Sequence, residues 1–219
     1  MNVILMGARP GAIIHFGAWP QTAEGAESAP IAWRVLQKTG NELLLISEHI
    51  LDCRRYHCAF VDTSWRDCDL RAWLNKAFYE AAFTPAERAR ISTTCCTDNG
   101  AGSPDTEDKV FLFSIAEMRE LTKTLAKDTF DTKRRAVGTE YAKAKKADGC
   151  RLFVYHGKVG DGYIAAEGAQ HGVSWWWLRN QPSSPARAAF VGLYGSLRGY
   201  ARVNRNGYGV RPVINLKLD

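Results

Sequence analysis

The sequence predicts an α+β fold, loop-rich, with short antiparallel strands and two or more helices. Two β-like apolar runs flank a Gly-Asn turn before residue 50, and helix-start signals stand at Asp67 and Thr84–Glu87, with a further helix over Ile115–Leu125. The texture then becomes Gly-rich and strand-like through to Leu218. Seven Trp and an aromatic content of 11% suit a compact loop-rich fold better than a helical bundle. With 219 residues, 46% of them hydrophobic, and no linker-like stretch, one domain over 1–219 is expected.

Ile31–Leu36 and Leu43–Ser47 read as strands of a hairpin turning at Gly40-Asn41. Asp67 is the expected N-cap of a helix through Tyr79, with Leu70, Trp73, Leu74 and Ala77 on one face. Thr84-Pro85-Ala86-Glu87 has the composition of a capping box with Pro at the first helical position. Thr97–Asp108 reads as a loop, Val110–Phe113 as a short buried strand, Ile115–Leu125 as a helix and Thr139–Lys146 as a short basic helix with a solvated face. In the run Trp175-Trp176-Trp177 the outer two share a strand face and the middle one takes the other. Burial beneath a loop is the favoured reading, with an exposed aromatic platform as the alternative. Trp33 and Trp73 are assigned to the core.

Charge is divided unevenly along the chain. From Gly168 to Leu218 there is no Asp or Glu, while Arg179, Arg187, Arg198, Arg202, Arg205, Arg211 and Lys217 supply seven cations. Taking these seven from the 29 Lys+Arg, and Asp219 from the 23 Asp+Glu, leaves residues 1–167 with 22 of each sign. Between Pro182 and Val210 the chain contains no Lys, Glu, Gln, Met or Trp and runs largely on Ser, Ala, Gly, Arg, Tyr and Asn. Rigid Tyr with adaptable Ser, Gly and Asn is the vocabulary of recognition surfaces.

Val191, Leu197 and Val203 recur every six residues, with Gly195 and Gly209 marking turns; an extended chain would put all three apolar residues on one side. The residues between would then face outward. The candidate ligand-binding set is Asn180, Ser183, Ser184, Arg187, Phe190, Leu193, Tyr194, Ser196, Arg198, Tyr200, Arg202, Asn204, Arg205, Asn206 and Tyr208.

The six cysteines are read as reduced thiols, because the chain is large for a disulfide scaffold and lacks an export signal. Cys53 and Cys58 with His57 between them suggest part of a metal site, but no second pair completes four ligands, so incidental roles are favoured. His15, His49, His156 and His171 show no ligating spacing. No Ser-His-Asp order, phosphate loop or paired-carboxylate site stands out. No apolar run approaches the ~20 residues that cross a bilayer, and Val3–Met6 is too short for a signal-peptide core. A soluble chain made in the cytoplasm, without membrane insertion, is expected.

Phe16-Gly17-Ala18-Trp19-Pro20-Gln21, Pro30–Leu36, Leu44–Ser47, Leu70–Asn75 with Phe78-Tyr79, Val110–Ser114, Trp176–Arg179 and Gly209–Pro212 together resemble a bacterial and phage domain family of unknown function. That family is similar to the sulfatase-modifying, formylglycine-generating branch of the C-type lectin fold, and the resemblance spans about Ile13 to Leu216. It implies a C-type-lectin-like fold. Members of that branch include variable proteins of diversity-generating retroelements, whose C-terminal region is rewritten at adenines. Asn-type template codons mutated in this way cannot yield Lys, Glu, Gln, Met or Trp, the set missing from the tail.

The resemblance implies a non-catalytic protein whose diversified segment, residues 180–208, binds a protein or glycan on a cell surface, with display on a phage particle or surface through a partner. A non-diversified module of the same fold is one alternative, and nucleic-acid binding by the Arg/Tyr tail is another. The cysteine chemistry of the formylglycine-generating relatives is not carried over, because no Cys follows Cys150. Calcium-dependent sugar binding is excluded for a tail without carboxylate ligands. No cofactor or metal is expected.

Overall fold

The computed structural model describes residues 7–100, 102–122, 134–155, 172–181 and 184–218, and its fold is mixed α+β. Strands β1 (Ile13–Pro20), β2 (Ser28–Thr39), β3 (Glu42–Ser47) and β11 (Val213–Lys217) form an antiparallel sheet in the order β1-β2-β3-β11. A second sheet has the order β4-β10-β7-β8-β9, built from Asp52–Cys53, Gly209–Val210, Trp176–Trp177, Arg187–Val191 and Leu197–Arg202. Among the described residues its one parallel contact is Gly209 with Trp176. A third pair joins β5 (Thr94–Cys96) to β6 (Thr106–Asp108).

The β2–β3 hairpin follows from alternation. Ile31, Trp33 and Val35 point into the core while their neighbours remain partly accessible. Thr39 pairs with Glu42, so the loop is Gly40-Asn41, and Gly40 has φ +56°, a conformation that costs a residue without Cβ little. The core extends through Trp33, Trp65, Trp176, Trp177, Tyr56 and Phe78, all fully buried. Trp33 Nε1 donates to the Phe16 carbonyl at 2.7 Å.

The first helical segment departs from expectation. Helix α1 (Asp69–Trp73) is capped by Cys68, whose Sγ accepts from Arg71 N, whereas Asp67 is engaged by the Ser64 hydroxyl at 2.6 Å. A π-helical turn (Leu74–Phe78) then leads into α2 (Tyr79–Ala82). The wider turn shifts the buried stripe by one residue, so that Leu70, Leu74, Phe78 and Ala82 face inward, Ala77 is exposed and Trp73 is only partly buried. At the widened turn the Asn75 amide donates to the Val110 carbonyl at 2.9 Å and its Oδ1 accepts from Lys109 N at 2.7 Å.

Helix α3 (Pro85–Arg90) carries the capping box of Thr84 and Glu87, and α4 (Ile115–Leu121) carries one from Ser114 and Glu117. Lys123, Thr124 and Leu125 lie outside the described residues. Thr139 caps α5 (Glu140–Lys143), one turn long. The loop expected over 97–108 ends earlier, because Thr106–Asp108 pairs with Thr94–Cys96. Val110–Phe113 is buried, as expected, with a single bridge from Phe111 to Val213.

The tail is not one extended strand. It doubles back as the β8–β9 hairpin, in which Val191 lies opposite Leu197. Val191 and Val203 are buried, but Leu197 is only half-buried, and the six-residue spacing marks no single face. Gly195 does lie in the connecting turn; Gly209 sits instead in β10, between β4 and β7. Among the described residues no helix is long and apolar enough to cross a membrane.

Candidate functional site

β9 alternates, with Arg198, Tyr200 and Arg202 exposed and Ala201 buried. Arg187 lies across from Arg202, Phe190 across from Arg198 and Trp177 across from Phe190, so these side chains share one side of the sheet. Tyr208 lies over the same side, stacked on Trp177 with ring centroids 4.3 Å apart and on Trp175 at 5.3 Å.

Ring contacts make this side continuous. Phe153 stacks on Trp175 at 4.2 Å, Trp175 contacts Tyr208, Tyr208 meets Phe190 edge-on at 5.1 Å and Phe190 meets Tyr200 edge-on at 5.4 Å. The ends of the series reach solvent, Phe153 at 39% and Tyr200 at 57% exposure, while Phe190 and Tyr208 between them are buried. A cleft of about 970 Å³ opens at the Phe153 end, lined by Trp175, Tyr208, Arg151, Arg205, Asn206, Lys143 and Glu140 among others. At the hairpin end, the Arg202 guanidinium lies 4.8 Å from the ring of Phe60, itself 46% exposed.

The candidate set divides against this geometry. Tyr194, Arg198, Tyr200, Arg202, Arg205 and Asn206 are exposed, and Ser184, Arg187, Leu193 and Asn204 are half-buried. Ser183 lies outside the described residues, as do His156 and His171. Asn180, Phe190, Ser196 and Tyr208 are buried, contrary to the outward placement expected. Asn180 Oδ1 accepts from Ile115 N at 3.1 Å, binding the tail to the start of α4, and Ser196 Oγ accepts from Arg198 Nε at 3.2 Å. Phe190 and Tyr208 are middle members of the ring series. Burial pushes the Tyr208 hydroxyl up to about 12, although the charge of Arg205 acts in the opposite direction.

The charge partition also needs correction. Arg179 and Arg211, two of the seven tail cations, are buried. Arg179 is clasped by Glu117 and donates from Nε to Asn99 Oδ1 at 2.8 Å. Arg211 donates to the Ser47 carbonyl at 2.7 Å and lies over Trp176, and burial lowers its guanidinium to about 10. Lys217 belongs to the other sheet. The outward charge of the face therefore comes from Arg198, Arg202 and Arg205, with half-buried Arg187 beside them.

Trp176 and Trp177 are buried, as favoured, but Trp175 is half-buried and forms a wall of the cleft. Phe153, Arg151 and Phe60 are neighbours of the tail that the sequence reading did not single out. Spacing placed Trp175 on the face of Trp177 but did not distinguish the half-buried ring from the buried one, and Phe153 stands in an irregular segment without a periodic signal.

The cysteines are free thiols among the described residues. Cys53 is buried, its thiol donating to the Asn206 carbonyl at 3.3 Å, and its donation toward Cys150 together with burial raises its pKa far above the ordinary thiol range. It does not join the converging ligand atoms around Cys58. His57, Cys58 and Asp69 converge instead, their ligating atoms all within 4.8 Å of one another. The Cys58 thiol donates to Asp69, which raises its pKa.

Fold and site define a mixed α+β domain with mostly antiparallel sheets, one side of which bears a ring series flanked by arginines. The chain belongs to the family described as Domain of unknown function (DUF6273), which matches residues 40–218. No curated protein and no solved structure matches it.

Proposed function

We propose that this side of the second sheet is a recognition surface for a macromolecule, a protein or glycan on a cell surface, and that the domain acts without catalysis. The ring series from Phe153 to Tyr200 carries the reading, because it joins an aromatic cleft to an exposed hairpin edge bearing Arg198 and Arg202. Aromatic rings and arginines that are already held in place bind with little further loss of side-chain freedom. The C-type-lectin-like architecture is part of this proposal, supported by the loop-rich arrangement of short, mainly antiparallel strands with few helices. So is diversification of the tail, now narrowed to its accessible positions: Ser184, Arg187, Leu193, Tyr194, Arg198, Tyr200, Arg202, Asn204, Arg205 and Asn206.

The test replaces Tyr194, Arg198, Tyr200 and Arg205 together with Ser and probes both proteins on a glycan array, on intact bacterial cells and on mixed-sequence DNA at two salt concentrations. The expected result is cell or glycan binding lost in the variant, with a nearly unchanged melting temperature, since exposed substitutions usually shift stability by only about 0.5 kcal/mol. Binding confined to DNA, falling steeply with salt, would replace this reading with nucleic-acid binding. A collapse of stability would place these side chains in the core and overturn it. Diversification is tested separately in the neighbouring DNA, where a reverse transcriptase gene and a near-copy of the tail's coding sequence differing at adenines are expected.

A further inference from the structure

We propose that His57 Nδ1, Cys58 Sγ and Asp69 Oδ2 form a binding site for a divalent transition-metal ion of the zinc class. Adjacent His and Cys come from the loop after β4, and the carboxylate comes from the first turn of α1. The three ligating atoms lie within 4.8 Å of one another, and the His57 Nδ1 to Asp69 Oδ2 separation is 3.1 Å. Ligand arms of about 2.0–2.3 Å around a tetrahedral ion place neighbouring donors about 3.3–3.6 Å apart. One edge of the tetrahedron is thus nearly formed, and small side-chain rotations of the exposed Cys58 can complete the face.

His57 Nδ1 is inaccessible to solvent and has no hydrogen-bond partner: it approaches the Asp69 carboxylate without the alignment of a hydrogen bond. A buried ring nitrogen left in this state is costly, and coordination would satisfy it. The backbone holds the loop in place, since His57 N donates to the Val203 carbonyl at 2.9 Å and Cys58 N to Asp69 Oδ2 at 2.7 Å.

Imidazole, thiolate and carboxylate form a mixed donor set suited to zinc-class ions rather than to calcium or magnesium. With the thiol proton released to solvent, thiolate and carboxylate balance a divalent charge. Three protein donors leave the fourth position to water or another ligand. Bound metal would tie the loop presenting Phe60 to helix α1, beside the tail residues flanking Val203.

The experiment titrates Co²⁺ into the reduced full chain without an affinity tag, followed by Zn²⁺ competition. One Co²⁺ per chain with a thiolate charge-transfer band, displaced by Zn²⁺, is expected. His57→Ala, Cys58→Ser and Asp69→Asn should each weaken binding roughly tenfold or more. Cys95→Ser, which removes another exposed thiol, should leave it unchanged. Melting curves are to check that the metal-free variants are folded, and Zn²⁺ should raise the melting temperature of the natural chain but not of Cys58→Ser. Absence of the charge-transfer band, or one-to-one binding that survives both Cys58→Ser and His57→Ala, would overturn the site.

Discussion

Arg179, with its side chain wholly removed from solvent, is gripped by both carboxylate oxygens of Glu117, the third residue of helix α4. The two stand 62 positions apart and connect the segment that follows β7 to a helix of the body. Glu117 retains 38% side-chain exposure, so the partners are unequal: losing the acid leaves a buried cation, and losing the cation leaves an acid that water can reach. Glu117→Gln, which can keep the capping geometry of α4, is expected to cost about 3–5 kcal/mol. Arg179→Met should cost clearly less. Denaturant midpoints of the two variants check the order, and equal costs would refute it.

The two tryptophans first assigned to the core should behave differently. Trp33 is fully buried with its indole N–H satisfied, and Trp33→Ala is expected to cost about 3–5 kcal/mol. Trp73 is partly buried beneath the Arg54 guanidinium at 4.0 Å, and Trp73→Ala should cost about 1–2 kcal/mol, within the range of ordinary destabilising substitutions. Urea unfolding of both variants provides the comparison.

Gly209 is required by close approach. A Cβ there would lie 2.3 Å from Ile50 Cγ2 and 3.1 Å from Leu152 Cδ1, where β10 passes between β4 and β7. Gly209→Ala is expected to destabilise by about 1–3 kcal/mol through overpacking. Because Tyr208 precedes it, the same substitution should disturb near-ultraviolet circular dichroism from the stacked Trp175, Trp177 and Tyr208 rings.

Tyr208 also predicts an alkaline dependence. Its hydroxyl, ordinarily near 10.0, is held at about 12 in the fold, chiefly by burial. A folded value above the unfolded one means that the contribution of the neutral phenol is complete below pH 10 and is lost as the pH rises toward 12. Tyr208→Phe removes this titration, so its stability should fall less steeply over that window than that of the natural chain. Denaturant midpoints across the alkaline range measure the difference in slope.

The hairpin and the capping box at Thr84 were legible because they depend on contacts between residues close in sequence. The Gly40-Asn41 turn and the box at Thr84–Glu87 each close within three residues or fewer. The helix from Asp67 was misread because Asn75 bonds to Lys109 and Val110 across 34 and 35 positions, at a turn whose extra residue moves Phe78 into the place expected for Ala77. In the tail, the Arg/Tyr composition marked the right segment, but alternation could not separate Tyr200 from Phe190. Both lie on one side of the same hairpin, but Phe190 is on the inner strand and packs against Tyr208 and Trp175, whereas Tyr200 is on the edge strand and stays exposed.

By itself the sequence determined the β2–β3 hairpin, the capped start of the helix after Thr84 and the concentration of arginine and tyrosine near the C-terminus, all of which follow from local backbone preferences and composition. Tertiary structure alone decided that Arg179 and Arg211 are internal, that Phe153 and Trp175 form the cleft wall, and that Asp69 joins His57 and Cys58. Each of these depends on segments far apart in the chain being packed together, and the excluded water and the available partners at such meetings cannot be read from either segment alone.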